Sequence, residues 1–471
     1  MTQPDAKKTQ AFVDAFWDRE IVPTITEYIT IPNKSPAFDP DWSANGHMEK
    51  ALQLAKAWIE AHPIEGATLH VGRIPGRTPL LLLDIPGTVD KTMVLYGHLD
   101  KQPEMEGWRS DLGPWKPVFE NGKLYGRGGA DDGYALFASM CAIKALHEQG
   151  IPHARAVVMI EFSEESGSVD LPAYVEHFED IIGQPDLVVC LDSGAGNYDQ
   201  LWSTTSLRGL VGGTIRVDVL QEGVHSGDAS GVVASSFRVI RDLLNRVEDA
   251  KTGKILPPEF QVEIPQQRLV QASKAAASLD TQVYAKFPFV EGMKPMAEDL
   301  TELVLNRTWR AALSYTGQDG LPATGSGGNV LRPYTKLKLS LRLPPTLEAK
   351  KAQAALTRIL SQDPPYGAKV TLHFEEPATG WNAPELVKWL EEALNDASQT
   401  FYGKPALHMG EGGTIPFMGM LGEKFPNAQF VVTGVLGPQS NAHGPNEFLH
   451  VPYAKKLTAC VAHIIAKHAQ V

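Results

Sequence analysis

The stretch AVVMIEFSEESGS, residues 156–168, decides how this chain folds. Its first half, residues 156–162, is an apolar run rich in Val and Ile that predicts a buried strand. The adjacent acids Glu164 and Glu165 then stand just past the strand end. Two carboxylates beside a buried strand are costly unless a cation is near. Neighbouring side chains of an extended segment point in different directions. One of the pair is thus free to ligate a metal while the other faces a water, which is the division of labour a metal-assisted hydrolase needs.

Four further segments carry matching chemistry. In YGHLD, residues 96–100, His98 closes a strand-like run and offers a neutral imidazole. Asp100 is placed to accept a hydrogen bond from the other ring nitrogen, which fixes the tautomer and makes a better ligand. In LYGRGGADDGYALF, residues 124–137, a Gly-rich loop ends in Asp131 and Asp132, and an amphipathic helix is expected over residues 134–147. A helix N-terminus favours clustered acids. The loop lacks the Walker lysine and the dinucleotide fingerprint, so nucleotide binding is not expected. In PDLVVCLDSG, residues 185–194, Asp192 follows a buried-type strand. In SNAHGPNE, residues 440–447, His443 sits in a loop before the last helix.

Together His98, Asp131, Glu165, Asp192 and His443 form a set of two imidazoles and three carboxylates. Three of them, His98, Glu165 and Asp192, lie at or beyond the C-terminal ends of expected strands, the edge where open α/β sheets build their sites. The set suits two divalent cations with one carboxylate bridging. Nitrogen and oxygen ligands without thiolate point to Zn²⁺, with Mn²⁺ or Co²⁺ as the other candidates. Cys141, Cys190 and Cys460 have no ligand spacing, and the first two read as core thiols.

These motifs, in the order HLD, GRGGADD, EESGS, LDS and HGPNE, resemble those of the co-catalytic zinc metallopeptidases. That family includes carnosinases and cytosolic dipeptidases, glutamate carboxypeptidase, aminoacylase and succinyl-diaminopimelate desuccinylase. The resemblance spans nearly the whole chain. It implies that His98 and Asp192 bind one metal, Glu165 and His443 the other, and that Asp131 bridges them. It implies Glu164 as general base, Asp100 as the residue orienting His98, and a cis peptide after Asp131. Asp at position 192, rather than Glu, fits the carnosinase-like side. Two positions depart from the pattern. The lysine often found two residues after the bridging Asp is Gly133 here, and the Arg before the EGG turn is Gly410.

The rest of the chain agrees. A length of 471 residues suggests two domains. The net charge of -12 argues against nucleic acid and anionic membranes as partners. No apolar run approaches the ~20 residues of a membrane span. The first ten residues lack the apolar core of a signal peptide, and three cysteines make no disulfide framework, so the cytoplasm is expected. The expected fold is α/β. A catalytic domain, residues 1–205 and 378–471, has a mostly parallel mixed sheet sandwiched by helices. Residues 206–377 form an inserted α+β domain.

The resemblance makes that insert a lid through which a homodimer forms. It also assigns residues within it. His225, in GVHSGD, would reach across the dimer and donate to a developing oxyanion. Arg342, in SLRLPP, would grip a substrate carboxylate in a bidentate fork. Asn329 is a further candidate for that role, and His408 and Thr414 flank the GEGG turn. Residues 253–323 have no assigned role. The expected activity is hydrolysis of dipeptides or short peptides, with N-acyl amino acid hydrolysis as the alternative.

Overall fold

The structure is a computed structural model and describes residues 3–471, the side chain of Pro416 excepted. The chain divides into two units: residues 1–204, 383–408 and 420–471 form the first, residues 205–382 and 409–419 the second. The short stretch 409–419 thus goes with the second unit, whereas the sequence reading gave all of 378–471 to the catalytic part.

The first unit is built on a mixed sheet. Its order is Thr68–Gly72, Leu80–Ile85, Ala154–Glu161, Val89–His98, Leu187–Cys190, Gln429–Val432, then Trp202–Leu207, which runs on into the second unit. The three pairings within Ala154–Glu161, Val89–His98, Leu187–Cys190 and Gln429–Val432 are parallel, and the pairings flanking them are antiparallel. The parallel strands are buried almost throughout, which is why they read as continuous apolar runs. The helix Ala135–His147 packs on the Val89–His98 strand and on the last helix, Val451–His468. All three cysteines are buried and unbonded.

Gly97 makes the close packing at the sheet edge possible. A Cβ there would lie 2.4 Å from the Cβ of Ala135 and 2.6 Å from Asp132 Oδ2. Glycine therefore lets the Asp131–Asp132 segment and the helix start lie directly against the strand that ends in His98.

Two helices of the first unit have local irregularities. The chain is helical from Ala6 to Ile29, with a π turn at Trp17–Ile21. Pro23 follows it, and its ring and missing N–H disturb the preceding turn, which the wider π turn accommodates. The other begins at Lys388, four residues after Pro384, and runs to Tyr402. The N–H of Val387 is held by the Gln429 side chain at 3.1 Å, so the helix starts after it. Gly403 ends it in the left-handed conformation.

The second unit holds an antiparallel sheet in the order Ala312–Asp319, Tyr334–Leu343, Gly209–Asp218, Lys369–Phe374. Helices Ser236–Leu244 and Ala349–Ser361 cover one face over Val211, Ile215, Leu339 and Leu341. Arg342 alternates with these leucines and so projects to the opposite face.

Candidate metal centre

Four chain segments end at one edge of the first unit's sheet. His98 is the last residue of its strand, and in the parallel register it stands opposite Glu161, the last residue of the neighbouring strand. Beyond Glu161 the chain enters a short 3-10 turn, Glu164–Ser166, that carries Glu164 and Glu165. Asp192 follows the Leu187–Cys190 strand, where Tyr134 donates from its hydroxyl to the carbonyl of Leu191 at 2.5 Å. Asp131 and Asp132, joined by a cis peptide, precede the helix Ala135–His147.

These side chains converge. His98 is fully buried. Its Nδ1 lies 3.3 Å from Asp100 Oδ1; its Nε2 lies 3.4 Å from Asp131, 3.7 Å from Asp192 and 3.9 Å from Glu164. Neither ring nitrogen makes a hydrogen bond among the described residues. His443 comes from the loop before the last helix, and its Nε2 is 3.0 Å from Asp131 Oδ2 and 3.3 Å from Glu165 Oε2. Asp131 therefore faces both imidazoles. Two groups of ligand atoms lie close enough to hold an ion, His98 with Asp131 and Glu165, and His98 with Asp132 and Asp192.

Asp100 does more than face His98. Its two oxygens accept the backbone N–H groups of Glu164 at 3.1 Å and Glu165 at 3.0 Å. One buried carboxylate thus sets the imidazole and the turn that carries both glutamates.

The electrostatics favour added positive charge. Burial, then the charge of Asp192, holds Glu164 and Asp132 well above the usual carboxylate range. Burial, then Asp131, does the same to Glu165. Burial pushes Asp192 up to about 6, with His98 opposing. Asp131 goes the other way: burial is outweighed by His443 and His98, which hold it well below the usual range. Burial disfavours a charged His98, yet Asp192, Asp100 and Asp131 around it hold it well above an ordinary histidine. A buried cluster this acidic, with an imidazole whose nitrogens lack hydrogen bonds, fits divalent cations.

Several participants escaped the sequence reading. Asp132 accepts from the His98 N–H at 3.3 Å through Oδ2. Gln102 donates to Glu165 Oε2 at 2.5 Å. Glu161, buried, accepts from the hydroxyls of Tyr96 at 2.6 Å and Ser168 at 2.8 Å. Arg127 and Glu447 pair at 2.6 Å with both side chains buried. Arg127 also donates to the carbonyls of Gly444 at 2.7 Å and Pro103 at 3.2 Å, and Glu447 accepts the Gly128 N–H at 3.0 Å. This pair ties the loop of His443 to the Gly-rich loop that leads to Asp131. Both residues lie inside quoted motifs, GRGG and HGPNE, which was the available signal.

The other candidates stand apart from this cluster in the chain's division. His225, Asn329, Arg342 and Thr414 belong to the second unit, and His408 ends a segment of the first. His225 pairs with Val330 in a two-stranded ribbon next to Asn329, whose carbonyl accepts the N–H of Ser226 at 3.0 Å. The His225 Nδ1 accepts the Gly227 N–H at 3.1 Å, so its proton resides on Nε2. Arg342 donates to Thr414 Oγ1 at 3.3 Å.

A mixed sheet whose parallel strands end in a cluster of acids and two imidazoles, His98 buried and His443 half-exposed, is a setting that suits a metal-dependent hydrolase of the α/β class. The chain belongs to peptidase family M20/M25/M40, whose model matches residues 94–467, and is a metallopeptidase. It is 26% identical to the cysteinylglycine-S-conjugate dipeptidase of Corynebacterium striatum, over 77% of this chain and 79% of that one. It is also 26% identical to the human β-Ala-His dipeptidase, over 75% and 71%. Among solved structures, the di-peptidase Dug1p of Saccharomyces cerevisiae shares the fold at a TM-score of 0.75 and 20% identity, over 100% of both chains. Human carnosine dipeptidase 1 shares it at 0.74 and 22%, over 99% of this chain and 100% of that one.

Proposed function

We propose that this chain is a dinuclear metal-dependent dipeptidase. The observation that carries the reading is Asp131 set between His98 and His443, with Asp192, Glu164 and Glu165 around them. The printed activities of the two curated relatives, both dipeptidases, support the substrate class. His98 and Asp192 would hold one ion and Glu165 and His443 the other, with Asp131 facing both; Zn²⁺ is the first candidate, then Mn²⁺ and Co²⁺. When bound, such ions lower the pKa of a water and polarise the scissile carbonyl.

The residues of the chain do the rest. Glu164 takes a proton from the attacking water as its oxygen bonds to the carbonyl carbon. Glu164 then returns that proton to the amine nitrogen as the C–N bond breaks. Its buried setting raises its affinity for a proton, which suits it to hold that proton between the two steps. Asp100 holds His98 and the Glu164–Glu165 turn in register. Reaching across the homodimer, His225 donates from Nε2 to the oxyanion that develops on the carbonyl oxygen of the partner's substrate, the tautomer being fixed by the Gly227 N–H. Arg342 grips the substrate's terminal carboxylate beside Thr414, and Asn329 and His408 are further candidates for substrate contact. The second unit acts as a lid and as the surface of a homodimer, and the enzyme works in the cytoplasm.

The test pairs free dipeptides with N-acetylated versions of the same residues, assayed metal-free and with Zn²⁺ or Mn²⁺ restored. Metal-dependent release of amine from the free dipeptides alone is expected. Cleavage of only the acetylated set would instead make the chain an N-acyl amino acid hydrolase with the same base.

A further inference from the structure

Three guanidiniums of the second unit meet at one turn. Arg208 follows the strand Trp202–Leu207, Arg307 sits in the last turn of the helix Leu300–Thr308, and Arg342 lies on the strand Tyr334–Leu343. The Thr414 hydroxyl that accepts from Arg342 donates in turn to the carbonyl of Arg208 at 2.5 Å. Arg208 donates to the carbonyl of Gly412 at 3.2 Å and to those of Asn306 and Arg310 at 3.3 and 3.4 Å. A Cβ on Gly412 would lie 3.2 Å from Arg208 Nη2 and 3.4 Å from Arg307 Cγ, so the turn rests against both residues. Arg307 Nη2 lies 3.2 Å from the sulfur of Met409, and its Nε is buried with no partner among the described residues.

The cluster is short of negative charge. The hydrogen bonds of these arginines go to carbonyls, a hydroxyl and a thioether, none to a carboxylate. The charges acting on Arg208 are those of Arg342, Arg307 and Glu411, two alike and one opposite. Lys286 feels Arg307 and Glu411 as well. Arg208 is buried and spends Nε and Nη1 on carbonyls. Arg307 has an Nε with no partner among the described residues and only a sulfur contact, so it is the guanidinium left to match a carboxylate in a two-point fork. Position 410 admits no side chain, since a Cβ there would meet Ser206 Oγ at 2.4 Å and Thr308 Cβ at 2.9 Å. The arginine of the carnosinase-like pattern is missing at that position, and Arg307 reaches the same turn from the adjoining helix.

We propose that Arg307, with Arg208 adding positive charge nearby, forms a second carboxylate subsite beside Arg342, so that the enzyme prefers peptides whose C-terminal residue is Asp or Glu. This rests on the reading of Arg342 as the grip on the terminal carboxylate. It gives the segment 253–323 a role: it delivers Arg307 to the turn.

The test compares kcat/KM of the metal-loaded enzyme on Ala-Glu and Ala-Gln, which differ by one charge at equal size. A site built for a polar group rejects the analogue that lacks it, so a preference of ~10-fold or more for Ala-Glu is expected, mainly in KM. Arg307→Met should collapse that ratio to about 2-fold or less, and Arg307→Lys, which keeps the charge, should restore part of it. Equal rates on the two peptides in the unaltered enzyme, or a ratio unmoved by Arg307→Met, would overturn the proposal. Calorimetry with free glutamate and free glutamine separates this from failure of the dipeptidase reading. If neither dipeptide is cleaved, tighter binding of glutamate that Arg307→Met abolishes still upholds the subsite, and equal binding rejects it.

Discussion

Asp100 and Glu164 are a few ångströms apart in role and far apart in consequence. Glu164 has nothing to position: its neighbours hold it, and the task proposed for it is the proton. Glu164→Gln should therefore keep the metals, measured by elemental analysis after gel filtration, while turnover falls ~100- to 10,000-fold. Asp100 is the reverse. It carries His98 on one oxygen and two backbone N–H groups on the pair. Asp100→Asn presents an amide donor to one of those N–H groups, so metal affinity and turnover should fall together, each by ~10- to 100-fold. Retention of tight metal binding in Asp100→Asn would show that the turn is held by something else. The roles proposed for these two residues were legible in the motifs YGHLD and EFSEESGS. That Asp100 also caps the turn of Glu164 and Glu165 was not, because the contact depends on two strands lying side by side.

At the scale of elements, the strands that end at the site could be read because burial on both faces leaves no polar interruption. The strand Ala312–Asp319 could not be read, since it lies at a sheet edge with no buried residue and so has no apolar alternation to betray it. The π turn at Trp17–Ile21 had only Pro23 as its signal, and a proline there points to a kink without specifying a π turn. The Arg127–Glu447 pair was hidden for another reason: its members are separated by 320 positions and join only when the last loop folds back. Removing one partner leaves a buried charge without compensation. Glu447→Leu should destabilise the protein by about 3–5 kcal/mol in urea unfolding, and Arg127→Met added to it should recover part of that loss. The double variant should still bind metal weakly, because the loop of His443 is no longer tied to the Gly-rich loop. Full recovery of metal affinity in the double variant would show that the pair serves stability alone.

For the whole molecule, three histidines away from the site, His153 and His468 buried and His463 half-buried, make one contribution to the response to acid. Burial lowers His153, His463 and His468, with Lys467 adding to the effect on His463 and Asp186 opposing it on His468. Each is neutral in the fold and takes up a proton on unfolding once the pH drops below about 6.5. Stability from this source is therefore complete above that pH and is lost as pH falls towards the depressed folded values. Urea midpoints measured between pH 7.5 and 5 should decline accordingly, and His153→Gln should flatten the slope. Chelation should act on the first unit, since a ligand that binds only the folded state contributes about 4 kcal/mol at a thousandfold excess over its dissociation constant. Scanning calorimetry with and without chelator should show a transition that moves down while another stays in place. The division into units has a last consequence for anyone cutting the gene. The chain passes from one unit to the other four times, at residues 204, 382, 408 and 419. Excising 205–382 would leave the span 409–419 as an orphaned thread inside the remaining half, and the excised piece would lack it. Neither half is a cassette, and a working fragment of either has to be assembled from separate stretches of the chain.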